Sequence, residues 1–112
     1  MSPALSGLRA WLLQRVTAVY LAAFTLYLFL HLVIAPPADL ADWGRWVLSP
    51  PMAVANALFF VALLAHAWVG VRDIVLDYVR SAGLRLAVLS TVALGLVAEG
   101  LWVLRVLLGG RA

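Results

Sequence analysis

The sequence predicts an all-α membrane protein: three transmembrane helices in an antiparallel up-down arrangement, packed against partner subunits. Three observations lead there. Of 112 residues, 66% are hydrophobic and 12% charged, whereas a soluble domain averages about 45–50% apolar and about 25% charged. The mean hydropathy is +1.07 over 12.1 kDa, so the charged residues could not cover a globule of this size in water. The apolar residues also fall into three runs, each near the ~20 residues that carry a helix across ~30 Å of hydrocarbon. Disorder is excluded by the same numbers, because disordered chains are polar and poor in aromatics. The length allows one domain, residues 1–112.

The first run, Val16 to Ala35, carries no charge and predicts a helix over about residues 12–35. Its apolar core and the fifteen residues before it are too long for a signal peptide. The loop from Pro36 to Pro51 has turn signals at both ends, Pro36-Pro37 and Pro50-Pro51. Between them, Asp39 to Trp46 is expected to lie on the outer interface. Trp43 and Trp46 suit that headgroup layer, and Trp11 suits the opposite one. Met52 to Val71 opens a second helix, expected over 52–78. Leu86 to Ala98 continues through Glu99 to Leu108 as a third, expected over 84–108. Small residues recur four apart in each: Ala18 and Ala22, Ala53 and Ala57, Thr91 and Gly95. Such spacing lets helices approach closely in lipid. Three helices enclose little, hence the expected partner subunits.

The net charge is +3, and all eight basic residues are arginines set singly between apolar runs. A nucleic-acid surface would gather them into a patch, so they are assigned to orientation and lipid headgroup contact. Arg9, Arg15, Arg72, Arg80 and Arg85 fall on one side; Arg45, Arg105 and Arg111 fall on the other. That bias predicts a cytoplasmic N-terminus. Without cysteine there is no disulfide, iron–sulfur cluster or thiolate metal site. Redox chemistry would need a cofactor held by other ligands.

The informative segment runs from His66 to Tyr78. At ~100° per residue, His66, Gly70, Asp73 and Asp77 share an arc of ~60°. One face thus carries an intramembrane imidazole, a gap in side-chain bulk one turn on, and two carboxylates near the inner end. An ionisable residue at that depth is a functional candidate by default. A neutral imidazole is a strong axial ligand for haem iron, and the glycine leaves room for a porphyrin edge. His66 could equally hydrogen-bond a neighbouring helix or relay protons. His31 lies four residues from the outer end of its span and His66 fourteen from the outer end of its own. The difference is ~15 Å in depth, too far for one iron, so His31 is read as interfacial. Tyr78 falls ~18 Å nearer the cytoplasm than His66. A phenol there can join the aromatic belt, or donate a hydrogen bond to a quinone carbonyl beside Asp77.

His66-Ala67-Trp68-Val69-Gly70 followed by Asp77-Tyr78 closely resembles the core motif of the succinate dehydrogenase hydrophobic membrane anchor family. Gln14-Arg15-Val16-Thr17-Ala18 resembles that family's entry to its first helix, and Leu84-Arg85-Leu86 the start of its third. The resemblance covers nearly the whole chain. It implies a four-subunit succinate:ubiquinone oxidoreductase of the tricarboxylic acid cycle and aerobic electron transport. In such a complex, a flavoprotein oxidises succinate, an iron–sulfur protein carries the electrons, and this chain and a cytochrome b subunit hold haem b and complete the ubiquinone site. By the same resemblance His66 is an axial ligand of the haem iron, with Gly70 packing on the haem. Tyr78 hydrogen-bonds ubiquinone and Asp77 supports that site. Arg15 is placed to meet a haem propionate, with a snorkelling headgroup contact as its competing role. Arg72 and Asp73 are candidates for the iron–sulfur subunit interface. Glu99, inside the third span, is expected to pair across helices or with the other anchor.

Two rivals share the composition. A small multidrug-type transporter is similar in length, but is expected to cross four times and to carry an acid in its first span, where this sequence has none. A fumarate reductase anchor shares the chemistry and differs in quinone and direction. Without a transit-like segment before the first span, the expected location is a bacterial inner membrane.

Overall fold

The computed structural model describes residues 3–109. Four helices follow in order: α1 (Pro3–Ile34), α2 (Leu40–Val47), α3 (Pro50–Tyr78) and α4 (Ala82–Leu107). No strand occurs among the described residues. The three long helices have 32, 29 and 26 residues, each longer than the ~20 that hydrocarbon requires. Each is apolar enough to cross a membrane.

Helix α1 begins nine residues before the expected position 12. Loss of charge marks where lipid contact can begin; the helix itself ends where backbone hydrogen bonding ends. Proline suits a first helical turn, and between Pro3 and Trp11 only Gly7 weakens the helix, by about 1 kcal/mol relative to alanine. The segment expected at the interface is itself a helix. Asp39 Oδ1 accepts from the Asp42 backbone N–H at 2.7 Å, capping α2 at its N-terminus. Asn56 of α3 donates to the carbonyl of Val47 at 3.0 Å, meeting an orphan acceptor at the other end of α2.

The turn between α3 and α4 is closed by an arginine. The Arg85 guanidinium donates through Nη2 to Leu76 O at 3.0 Å and through Nε to Val79 O. A charge read from sequence as an orientation signal thus also satisfies the last carbonyls of α3. Arg111 lies outside the described residues.

Helix α3 stands in the middle, with α1 on one side and α4 on the other. No Cα of α1 comes within 8 Å of α4 among the described residues. The long helices therefore form a row and no closed bundle. On α1, Gln14, Thr17, Leu21, Phe24, Leu28 and His31 repeat at alternating spacings of three and four, and all are withdrawn from the surface. That is the seam along which one helix follows another. Tyr20 donates to Ala55 O at 2.7 Å, and Phe24 packs on Phe59 with 5.1 Å between ring centroids.

The small-residue pair expected on α4 is not where α3 packs. Thr91 and Gly95 are exposed, and a Cβ on Gly95 would meet nothing within 4 Å. The close approach is at Gly100, where a Cβ would stand 3.0 Å from Leu64 Cδ1. Nine residues separate Thr91 from Gly100, ~900° around the helix and so on its opposite side.

Few side chains are buried. Among the described residues they are Phe24, Met52, Val69, Val75, Thr17 and Asn56, and α4 contributes none. Lipid or partner surface must cover the rest, because outward residues such as Leu94 and Val19 are about as apolar as a membrane interior.

Candidate functional site

A cavity of about 560 Å³ opens between the first half of α1 and the second half of α3. Its walls include Trp11, Gln14 and Arg15 from α1, and His66, Arg72 and Asp73 from α3. The other sizeable grooves, on the α4 side, are lined almost wholly by apolar side chains. An imidazole, an amide, two guanidinium groups and a carboxylate therefore converge where two apolar helices cross.

His66 is fixed from one side of its ring. Nδ1 lies 2.9 Å from Oγ1 of Thr17, a residue only 6% exposed. The same Oγ1 is 2.6 Å from Leu13 O and 3.2 Å from Gln14 O. The other ring nitrogen, Nε2, makes no hydrogen bond among the described residues, nor is it a buried atom without a partner. His66 thus does bond a neighbouring helix. The bond uses one nitrogen and leaves the other available, so packing and ligation do not compete.

Gln14 supplies the remaining tension. Its Oε1 is buried without a hydrogen-bond partner, a condition that costs about 1–3 kcal/mol. Its Nε2 would lie 3.6 Å from a Cβ built on Gly70. The gap beside Gly70 is therefore bordered by this amide, and a group packing on Gly70 would meet Gln14 as well.

The charges lie toward the mouth. Arg15 is exposed, with its guanidinium carbon 5.8 Å from the Trp11 ring centroid. Arg72 and Asp73 pair at 3.2 Å, a contact between partly exposed neighbours that contributes little to stability.

Asp77 and Tyr78 occupy the last turn of α3, outside this cavity. Both are exposed, Tyr78 at 81%. Twelve residues of helix, ~18 Å, separate Tyr78 from His66. The structure brings His66 and Arg15 together and leaves Asp77 and Tyr78 as a second station. His31 stacks on Trp46 of α2, with ring centroids 4.1 Å apart and planes 4° from parallel. It lies fourteen residues along α1 from Thr17, the level of His66; this is ~21 Å, more than the depth difference read from sequence. Glu99 is exposed on α4 and makes no ion pair among the described residues.

A profile of the succinate dehydrogenase/fumarate reductase transmembrane subunit matches residues 2–101. The chain belongs to that family. Its relatives include the succinate dehydrogenase hydrophobic membrane anchor subunit of Coxiella burnetii, 29% identical over 101 residues, which cover 90% of this chain and 88% of that one. The subunit of the same name from Rickettsia felis is 37% identical over 81 residues, 71% of this chain and 67% of its own. That of Rickettsia conorii is 35% identical over 81 residues, 71% and 64% of the two. The matched span contains both stations of this transmembrane subunit.

Two polar residues at the site were given no role from sequence: Gln14 in the cavity wall and Thr17 behind His66. Their signal is present: both place polar side chains on the α1 seam ahead of the apolar Leu21, Phe24 and Leu28. The register between α1 and α3, which sets Thr17 opposite His66, has no counterpart in a single sequence.

Proposed function

We propose that this transmembrane subunit is the membrane anchor of a succinate dehydrogenase, a succinate:ubiquinone oxidoreductase of a bacterial inner membrane. It attaches the flavoprotein and iron–sulfur subunits to the bilayer and, with a cytochrome b subunit, builds the haem b and ubiquinone sites. The carrying observation is the cavity in which His66 and Arg15 meet, with one ring nitrogen of His66 unbonded among the described residues, in a chain of this family.

The residues present fit a haem. No group of three His, Cys, Asp or Glu side chains among the described residues could hold a bare metal ion. A porphyrin supplies four iron ligands of its own and asks one imidazole of this chain. His66 would supply it through Nε2, and the cytochrome b subunit would contribute a further ligand. Arg15 offers its charge to a propionate, and Nε2 of Gln14, which borders the gap at Gly70, offers a donor there. A haem held there supplies a one-electron store. At the second station, Tyr78 would donate its phenolic proton to a quinone carbonyl, and Asp77 would orient the donors around it. The exposure of both residues suits a site completed by partner subunits, and Arg72 and Asp73 would face the iron–sulfur subunit.

The test is purification of the tagged chain from native membranes in mild detergent. A flavoprotein, an iron–sulfur protein and a second small membrane subunit are expected with it. A homo-oligomer without redox partners would overturn the assignment. The arginine bias supports a cytoplasmic N-terminus, so a C-terminal reporter should be active only on the outer side; activity confined to the cytoplasm would reverse the topology.

A further inference from the structure

Thr17 is one of two buried polar residues among those described, and its hydroxyl has one proton for three polar neighbours. Oγ1 and Leu13 O are 2.6 Å apart. Two oxygens at that distance repel unless a proton lies between them, and a carbonyl brings none. The hydroxyl proton is therefore committed to Leu13 O, the i−4 back-bond that threonine makes inside helices. Gln14 O, at 3.2 Å, takes at most a minor share. What Oγ1 has left for His66 is a lone pair.

We infer that Thr17 is a positioning residue for His66: its hydroxyl accepts from Nδ1–H and so holds the ring in the tautomer whose bare nitrogen is Nε2. A neutral imidazole carries one proton on either nitrogen, and only this tautomer leaves Nε2 a lone pair to offer a metal. Turning the ring over would set a C–H against Oγ1 and lose the hydrogen bond. Burial keeps water from replacing it, and the β-branched side chain has few rotamers from which to offer it otherwise. An acceptor on Nδ1–H also makes the ring a stronger electron donor to a metal, which favours ferric over ferrous iron. The inference rests on the reading that His66 ligates haem iron.

The experiment compares the assembled four-subunit complex carrying Thr17→Val, Thr17→Ala, Thr17→Ser or His66→Ala. Two quantities are measured: the rate at which haem passes to an excess of a soluble haem acceptor, and the reduction potential of the haem. Loss of an outer partner of a ligating histidine weakens metal retention about 10–100-fold. Both hydroxyl-free variants should show that weakening, with an upward shift in potential, and Thr17→Ser should restore both quantities. Unchanged retention and potential in the Val and Ala variants, with the spectrum altered by His66→Ala, would overturn the role of Thr17 and leave the ligand reading standing. An unaltered spectrum in His66→Ala would remove the ligand reading and this inference together. If neither hydroxyl-free variant assembles while His66→Ala does, the hydroxyl serves helix packing and the inference fails.

Discussion

Replacing His66 by alanine is expected to abolish the low-spin haem b spectrum of the assembled enzyme while leaving the four subunits together. The first half of that result follows from the ligand count. No second histidine of this chain lies near the level of Thr17 and His66, because His31 is stacked on Trp46 near the far end of α1. With the imidazole gone, this side of the iron has no replacement ligand in the chain.

Survival of the assembly follows from what the substitution leaves behind. The Thr17 hydroxyl keeps its bond to Leu13 O at 2.6 Å, so no buried donor is stranded. The volume vacated by the ring joins an existing cavity of about 560 Å³ and opens no new enclosed one, which limits the packing cost. Visible absorption on purified complex checks the prediction, with subunit stoichiometry measured on the same sample. A full low-spin spectrum in the variant would remove His66 from the iron.

The parts of this fold legible in sequence are those set by local chemistry. Three apolar runs gave three membrane helices, and the paired prolines marked both ends of the α1–α3 connection. The end of α3 at Tyr78 matched its expected bound, and α4 shifted by a residue or two. The start of α1 was missed because hydropathy reports the lipid boundary and not the helix boundary. Contacts between helices were less legible. Thr91 and Gly95 had the spacing of a packing pair, yet Gly100 is the residue that meets Leu64. In an alanine-rich helix small residues lie on every side, and the choice among faces is made by the partner helix. The candidate site divides the same way. His66, Asp77 and Tyr78 stood out by residue type and depth, and Arg15 through the family resemblance, whereas Thr17 and Gln14 acquire meaning from the register of α1 against α3.

Tyr78→Phe is expected to slow ubiquinone reduction about tenfold while succinate oxidation by a soluble artificial dye stays near the parent rate. The factor is that of one hydrogen bond to substrate, roughly 1–1.5 kcal/mol. The selectivity comes from position. Tyr78 is 81% exposed in this chain, and its hydroxyl has no hydrogen-bond partner among the described residues, so removing it strands no group and fills or empties no core. Such a surface change alters stability by no more than about 0.5 kcal/mol. Twelve residues of α3 separate it from His66, ~18 Å along the helix, so the haem spectrum should be untouched. His66→Ala and Tyr78→Phe are thus expected to have separable signatures, one in the haem and one in the quinone assay. Equal loss with quinone and with dye in Tyr78→Phe would instead indicate damage to assembly, and full quinone activity would remove the phenol from the site.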